Sequence, residues 1–514
     1  MRGAGWPRAG RLSRPADSAP VLVALLVAGI VLRLLLTLAW RPAFIGFPDS
    51  GPYLADARLA PFWDSLRMVG YGEFLRLLHW LTPHLLAVTF AQHALGLASA
   101  VLLFASLRRC GLPAGVGLVP AAVVSLGGDE IFLEHAVLSE SLFIFLIAAA
   151  LYTAVRSLDR PGAWAAAAAG LLVGLATTVR EAGIVLVPAV ALWVALASRG
   201  HIGGRGAVLR LVASSAAAAA VLFAYLGLHQ QYTGRFVFTN SGAYNLYGRA
   251  APFADCSKFT PPPGTAVLCE RLPSSRRPGP DFYNFSPASP AARAFGGSAQ
   301  FAPSAAAIGK LGTFARTAIV RQPLSYAHDV ALDALRFVAP DSFPEHSGNS
   351  PEQLGRRLTD PGLTANYLAN LVSGYYVGVG VKQSSGLLAS MRTYERWTRL
   401  RGPPMVVLVV LALLAPLMAR GRARAGASLF LGAALLLMVV PILTVFYDVR
   451  YAVPGYGPLS AAAAIGGWAL WERSTSRRAR VARRFPPGRR ADAAMRALSR
   501  KRQADEPNTA APPG

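Results

Sequence analysis

The sequence is short of charge. Of its 514 residues only 15% are Asp, Glu, Lys or Arg, against about 25% in an ordinary soluble fold, which excludes the string of soluble domains that length alone would suggest. Lysine is scarcer still, standing only at Lys258, Lys310, Lys382 and Lys501, so nearly all the cations are arginine. The three cysteines, Cys110, Cys256 and Cys269, show no CxxC or other metal-ligand spacing, which argues against zinc-ribbon classes. No internal repeat is visible, so the inverted-repeat signature of many secondary transporters is missing.

Apolar residues, by contrast, make up 53% of the chain and the mean hydropathy is positive. They gather in blocks of about 17–22 residues, the length that crosses a hydrocarbon core of roughly 30 Å. A formal charge of +25 would suit nucleic acid, but the arginines stand in short clusters between the apolar blocks and in the tail, the pattern of cytoplasmic loops. Membrane lipids, and no nucleic acid, are the expected partners. The basic stretch after Glu472 is expected to touch anionic headgroups and to end in disordered Pro/Ala-rich sequence.

The expected fold class is an all-α polytopic membrane protein. About ten transmembrane helices are expected, at roughly 20–40, 85–107, 112–128, 137–155, 162–179, 182–198, 208–228, 403–419, 426–446 and 451–471. The first block is too long for the apolar region of a signal peptide and lacks a small-residue cleavage site, so it reads as a retained signal anchor. Arg2, Arg8, Arg11 and Arg14 place the N-terminus in the cytoplasm. Alternation then puts Arg108–Arg109, Arg156–Arg160, Arg199–Arg210, Arg420–Arg424 and the C-terminal tail inside, and nearly all the short acidic motifs outside. The expected location is the cell (plasma) membrane, with both termini cytoplasmic.

Four regions follow: a seven-span module over 1–228, an extracytoplasmic loop domain over 229–403, a three-span module over 404–471, and a basic tail over 472–514. The first outer loop, 41–84, is aromatic and apolar without a full span, which suits short interfacial helices. In the large loop, Pro261-Pro262-Pro263 and Ser274–Pro290 read as irregular chain, and Ala305–Val338 as amphipathic helix interrupted near Pro323. Cys256 and Cys269 are expected to form a disulfide, since both lie outside the cytoplasm.

Ionisable residues at span ends are costly to bury and invite a functional reading. Asp49, in the turn Gly46-Phe47-Pro48-Asp49-Ser50-Gly51-Pro52-Tyr53, is either a general base for an acceptor hydroxyl or an inert helix-end aspartate. Glu134, His135 and Glu140 are candidates for one polar cavity, while Asp129 and Glu130 read as a solvated turn. Arg180 and Arg450 are cations on the outer side. Their counter-charge is either the adjacent Glu181 and Asp448, in structural ion pairs, or a phosphate.

The motifs resemble those of the membrane-embedded glycosyltransferases of the C superfamily, the broad group of protein O-mannosyltransferases, aminoarabinose transferases and bacterial relatives. The matching residues are Asp49 followed by Tyr53, Leu138-Ser139-Glu140-Ser141-Leu142-Phe143, the Arg180 region with Pro188, and Asp448-Val449-Arg450-Tyr451-Ala452-Val453-Pro454. The last is the most specific. The resemblance covers the first seven spans best and the final two well; the outer loop matches only in position.

It implies a polyprenyl-phosphate-sugar donor in the outer leaflet and a glycan, lipid or protein acceptor. Asp49 would be the general base, Arg180 and Arg450 the donor-phosphate ligands, and Tyr53, Glu134, His135, Glu140, Glu181, Asp448 and Tyr451 cavity residues. No organic cofactor is implied; a divalent cation serves some members and not others, so metal use stays open. Asp49 is followed by Ser50 where the mannosyltransferases carry an acidic pair, and the chain ends in a basic tail instead of an outer domain. A transporter or flippase of a lipid-linked intermediate, and a non-catalytic envelope assembly protein on the same fold, are the other classes to weigh.

Overall fold

A computed structural model describes residues 19–64, 66–159, 162–296, 304–339 and 354–484. Arg2, Arg8, Arg11, Arg14, Arg160 and the Pro/Ala-rich tail lie outside the described residues. The apolar blocks fold as helices, because backbone groups removed from water must pair within their own segment. They are α1 (Ala19–Ala39), then α2 (Ser50–Arg58) and α3 (Gly70–Leu81) in the first outer loop, then α4 (Leu86–Arg109), α5 (Ala114–Leu126), α6 (Gly128–His135), α7 (Glu140–Arg156), α8 (Trp164–Val179) and α9 (Leu186–Thr233). In the large loop α10 (Ser241–Ala250), α11 (Pro280–Phe285), α12 (Pro290–Phe295), α13 (Ala305–Arg321), α14 (Pro323–Arg336), α15 (Leu354–Leu358), α16 (Pro361–Tyr367) and α17 (Ser385–Thr398) follow. The chain closes with α18 (Pro403–Met418), α19 (Gly421–Thr444) and α20 (Val449–Arg484).

Each of the ten expected segments falls on one of these helices. Among the described residues, five helices are long and apolar enough to cross a membrane, or up to seven if each bent pair counts as one span. The third expected span, 112–128, falls on α5, which forms one such pair with α6 across a 47° bend. α9 is interrupted at Gly203, whose φ of 72° suits glycine and ends the first arm inside the expected cytoplasmic cluster. α3 buries Tyr71 and Leu75 and exposes Leu77, Trp80 and Leu81, the two-faced pattern of a helix lying at an interface.

The residues of the expected loop domain over 229–403 divide between two packed cores. Its first half has a core of its own, in which Tyr247, Leu268, Tyr283, Leu311 and Phe314 pack together. The disulfide between Cys256 and Cys269 staples this half, and Arg249 pairs with Asp333 at 2.6 Å in its interior. The expected interruption near Pro323 separates α13 from α14: Gln322 leaves helical geometry, and Pro323 starts the next helix where its missing N–H costs nothing. The second half joins the membrane module instead. Leu354, Leu358, Tyr367, Leu388 and Met391 belong to the main core, and Trp40–Arg41 pair antiparallel with Lys382–Gln383. The helix expected to end near 471 runs on to Arg484.

Asp129 and Glu130 are not a solvated turn. They lie in α6 with only 3% exposure each. The bare α-carbon of Gly128 sets this packing: a Cβ there would come within 2.4 Å of the Glu395 backbone, so α6 is pressed beneath α17.

Candidate functional site

The turn after α1 is held from outside its own sequence. Gly46 donates its N–H to the Leu358 carbonyl at 3.0 Å, and a Cβ at Gly46 would fall 2.3 Å from the Asp360 nitrogen. Tyr367 donates its hydroxyl to the Pro48 carbonyl. Asp49 therefore arrives at the N-cap of α2, yet its carboxylate makes no capping hydrogen bond. It faces two guanidinium groups instead.

Those contacts belong to a chain of alternating charges. Asp64 accepts from Arg67 at 2.7 Å. Asp49 Oδ1 accepts from Arg67 Nη2 at 2.5 Å and from Nε at 2.9 Å. Asp49 Oδ2 lies 2.6 Å from Arg450 Nη2. Arg450 Nε lies 2.5 Å from Glu140 Oε1, a contact whose angle makes it an ion pair and not a hydrogen bond. Glu140 Oε1 also accepts from Arg180 Nη1 at 2.6 Å. The same nitrogen donates to Ser139 Oγ at 3.1 Å, and Ser139 accepts the Tyr53 hydroxyl at 3.0 Å. Arg450 is wedged between the Phe47 and Tyr451 rings, 4.5 and 5.5 Å from their centroids, where the faces of both rings attract its charge. Three carboxylates thus meet three guanidiniums, and Glu140 Oε2 remains buried without a partner.

Asp49, Tyr53, Arg67, Arg180, Glu181, Arg450 and Tyr451 line one cavity of about 470 Å³, which Thr239, Ser241, Asn245 and Phe285 close from the loop side. Glu140 stands behind the arginines. Burial alone would raise the Asp49 pKa, but the charges of Arg67 and Arg450 outweigh it and hold the carboxyl well below the usual range. Burial pushes the neighbouring Asp56 up to about 7; one of its oxygens accepts the Asp64 N–H and the other has no partner.

The adjacent-residue ion pairs do not form. Arg180 is extended at the end of α8 (φ −145°, ψ 130°), which sends consecutive side chains to opposite sides; Arg180 reaches Glu140, while Glu181 meets Thr239 Oγ1 at 3.3 Å. Asp448 pairs with Arg357 at 3.1 Å and accepts the Arg450 backbone N–H at 2.9 Å. It starts α20 and thereby positions Arg450.

Glu134 and His135 do not line the cavity. Arg33 grips Glu134 through two 2.7 Å bonds, His93 Nδ1 lies 2.9 Å from the same carboxylate, and His135 bridges His93 and the Trp40 carbonyl. α6 turns this face toward α1 and α4, and Gly96 makes the room: a Cβ there would lie 1.8 Å from Glu134 Oε1. Sequence reasoning missed Arg33, His93, Arg67 and Arg357. Arg33, a charge inside the first span, was the detectable one, whereas Arg67 is one of four arginines, with Arg41, Arg58 and Arg76, in the segment 41–84 and has no motif to single it out.

Among the described residues no three His, Cys, Asp or Glu side chains converge to hold a metal ion; of the two carboxylates that line the cavity, Asp49 is held by two guanidinium groups, and Glu181 stands apart against Thr239. The donor set suits an anion better than a divalent cation.

No protein-family model matches the chain, nor does any curated protein. Among solved structures it is similar to the archaeal oligosaccharyltransferase AglB from Archaeoglobus fulgidus in complex with an inhibitory peptide and a dolichol-phosphate, with 12% identity and a TM-score of 0.41 over 93% of this chain and 54% of that one. It is likewise similar to the apo form of the Archaeoglobus fulgidus oligosaccharyltransferase, with 12% identity and a TM-score of 0.42 over 94% and 55%. The chain spans about half the length of these proteins.

Proposed function

We propose that this chain is a membrane glycosyltransferase that moves a sugar from a polyprenyl-phosphate-linked donor to an extracytoplasmic cell-envelope acceptor. The observation that carries the reading is the single cavity onto which Asp49, Arg67, Arg180 and Arg450 converge from four separate stretches of chain. The acceptor hydroxyl attacks the anomeric carbon, the bond from that carbon to the phosphate oxygen breaks, the polyprenyl phosphate leaves, and the hydroxyl proton passes to Asp49. Arg180 and Arg450 hold the phosphate and stabilise the charge that grows on it.

While Arg67 and Arg450 both hold it, Asp49 is a poor base, because the two guanidiniums stabilise its charged form. The charge chain from Asp64 to Arg180 is also balanced. A donor phosphate adds a negative charge and competes with Asp49 for Arg450, which raises the carboxylate's proton affinity when a hydroxyl is to be deprotonated. The motif resemblance supports the same roles. Both termini are placed in the cytoplasm on the arginine pattern, and a C-terminal reporter that reads out as external would overturn that placement.

The test uses purified full-length protein and the Asp49→Asn variant. The variant should bind polyprenyl phosphate and lose sugar transfer. Transfer at the wild-type rate would remove Asp49 as the base, and failure of the wild type to bind polyprenyl phosphate would remove the donor class.

A further inference from the structure

The 470 Å³ cavity has two chemically different walls. One carries the arginines. The other carries none: Glu181 from the start of the helical turn after α8, Thr239 and Asn245 around the first turn of α10, and Phe285 at the end of α11. Phe285 is 52% exposed, a large apolar ring left open on the cavity side, whereas Tyr244, Tyr247, Phe253, Phe259, Tyr283 and Phe314 of the same core are buried. Among the described residues Glu181 Oε2 accepts from Thr239 alone, at 3.3 Å. Its other oxygen, Oε1, faces Gly242 at the start of α10, 3.8 Å from where a Cβ would stand. A carboxylate has about four acceptor positions, so this one keeps most of its capacity for a ligand. No arginine among the described residues neutralises it, because the extended backbone at Arg180 turns the two neighbouring side chains apart.

A carboxylate, a hydroxyl, a carboxamide and an open aromatic face together match a polyhydroxylated ring. Vicinal hydroxyls donate to the carboxylate and exchange bonds with the amide, while the C–H face of a pyranose or furanose lies on the electron-rich face of the aromatic. An anion is disfavoured at this wall by Glu181, and a purely apolar ligand would leave its polar groups unpaired.

We propose that Glu181, Thr239, Asn245 and Phe285 form a sugar-binding subsite opposite the arginine wall. The proposal rests on the glycosyltransferase reading and adds the place where the sugar is held. The sugar is either that of the donor or the end of a glycan acceptor. Thr239 acts partly by positioning the Glu181 carboxylate.

The experiment measures binding of bare polyprenyl phosphate, and of the same lipid carrying a hexose, a pentose or an aminosugar, to full-length wild type and to Glu181→Gln, Asn245→Ala and Phe285→Leu. The wild type should prefer one sugar-bearing lipid over the bare one. Each variant should lose about tenfold of that preference, the scale of one polar contact, while binding the bare lipid unchanged. If the preference survives in all variants but the KM for a glycan acceptor rises about tenfold at unchanged kcat, the sugar held is the acceptor's. Variants that keep both the preference and the acceptor KM overturn the subsite. Variants that stay folded by their thermal melts yet lose bare and sugar-bearing lipid equally overturn it too, since the wall then serves the lipid phosphate and not the sugar. Wild type that binds bare lipid and shows neither donor preference nor acceptor saturation ends the subsite alone; wild type that binds no polyprenyl phosphate ends the glycosyltransferase reading with it.

Discussion

Exchanging Arg450 for methionine cuts the charge chain at its middle. The wild-type side chain is 5% exposed and lies 2.6 Å from Asp49 and 2.5 Å from Glu140. Removing one partner of a buried pair costs about 3–5 kcal/mol, mostly because the other charge is left uncompensated. Here neither carboxylate is stranded, since Arg67 still holds Asp49 and Arg180 still holds Glu140. The cost should therefore lie near the lower end, about 3 kcal/mol. Lysine should not rescue it, because one ammonium cannot span both carboxylates as the guanidinium fork does. Glu140→Gln alone leaves Arg450 and Arg180 sharing less negative charge, and combining it with Arg450→Met should recover about 1–2 kcal/mol of the summed losses. The assay is a double-mutant cycle on the unfolding midpoint of the purified protein, with transfer measured in parallel. Transfer should fall about 10²–10³-fold, as for the loss of one donor to a developing anion. Additive stability losses, or a stable Arg450→Lys protein with full transfer, would refute the reasoning.

Asp56 has a folded-state pKa raised to about 7, so its proton is bound more tightly in the folded protein. Its stabilising contribution is complete below the unfolded value near 4 and is lost as pH rises through about 7; Asp56→Asn should flatten the stability–pH curve in that window, and an unchanged slope in a pH series of thermal melts would contradict it. Asp49 runs the other way: its folded pKa is depressed, so its contribution is present above the usual carboxylate range and disappears only in stronger acid. Cys256→Ser should destabilise the first half of the large loop by about 3 kcal/mol, the chain-entropy value for a loop of this size, and limited proteolysis should then cut there before it cuts the membrane helices. Gly96→Ala should cost about 1–3 kcal/mol or prevent folding, because the added methyl falls on Glu134; a variant with an unshifted midpoint would mean the Arg33–Glu134 contact is looser than drawn.

Much of the helical framework was legible because burial in a bilayer leaves the backbone no alternative to helix, and apolar blocks of spanning length announce themselves. Asp49, Arg180, Glu181 and Arg450 stood out for a related reason, since a charge beside a span end needs a partner; Tyr53 and Tyr451 were marked only by the motif resemblance. The identity of those partners was not legible. Arg180 and Glu181 are neighbours that turn apart, and Asp448 serves Arg357 and the backbone of α20, whereas Arg67 belongs to a loop with no motif to mark it. Glu134 and His135 were placed with the site on proximity in sequence, but the rotation of α6 about its bend decides which face they share.

What the amino-acid sequence determined by itself is where most of the long apolar helices form, which charges stand at the ends of apolar segments, and that Cys256 and Cys269 lie close enough along the chain to be joined. What only the tertiary structure decided is which charges meet. The chain Asp64–Arg67–Asp49–Arg450–Glu140–Arg180 is assembled from stretches up to several hundred residues apart. Its shape depends on close approaches such as Gly46 against Asp360 and Gly128 against Glu395. A span end is set by local hydropathy, but a salt bridge is set by the sum of all the packing that brings two side chains within about 4 Å, and no local pattern contains that sum.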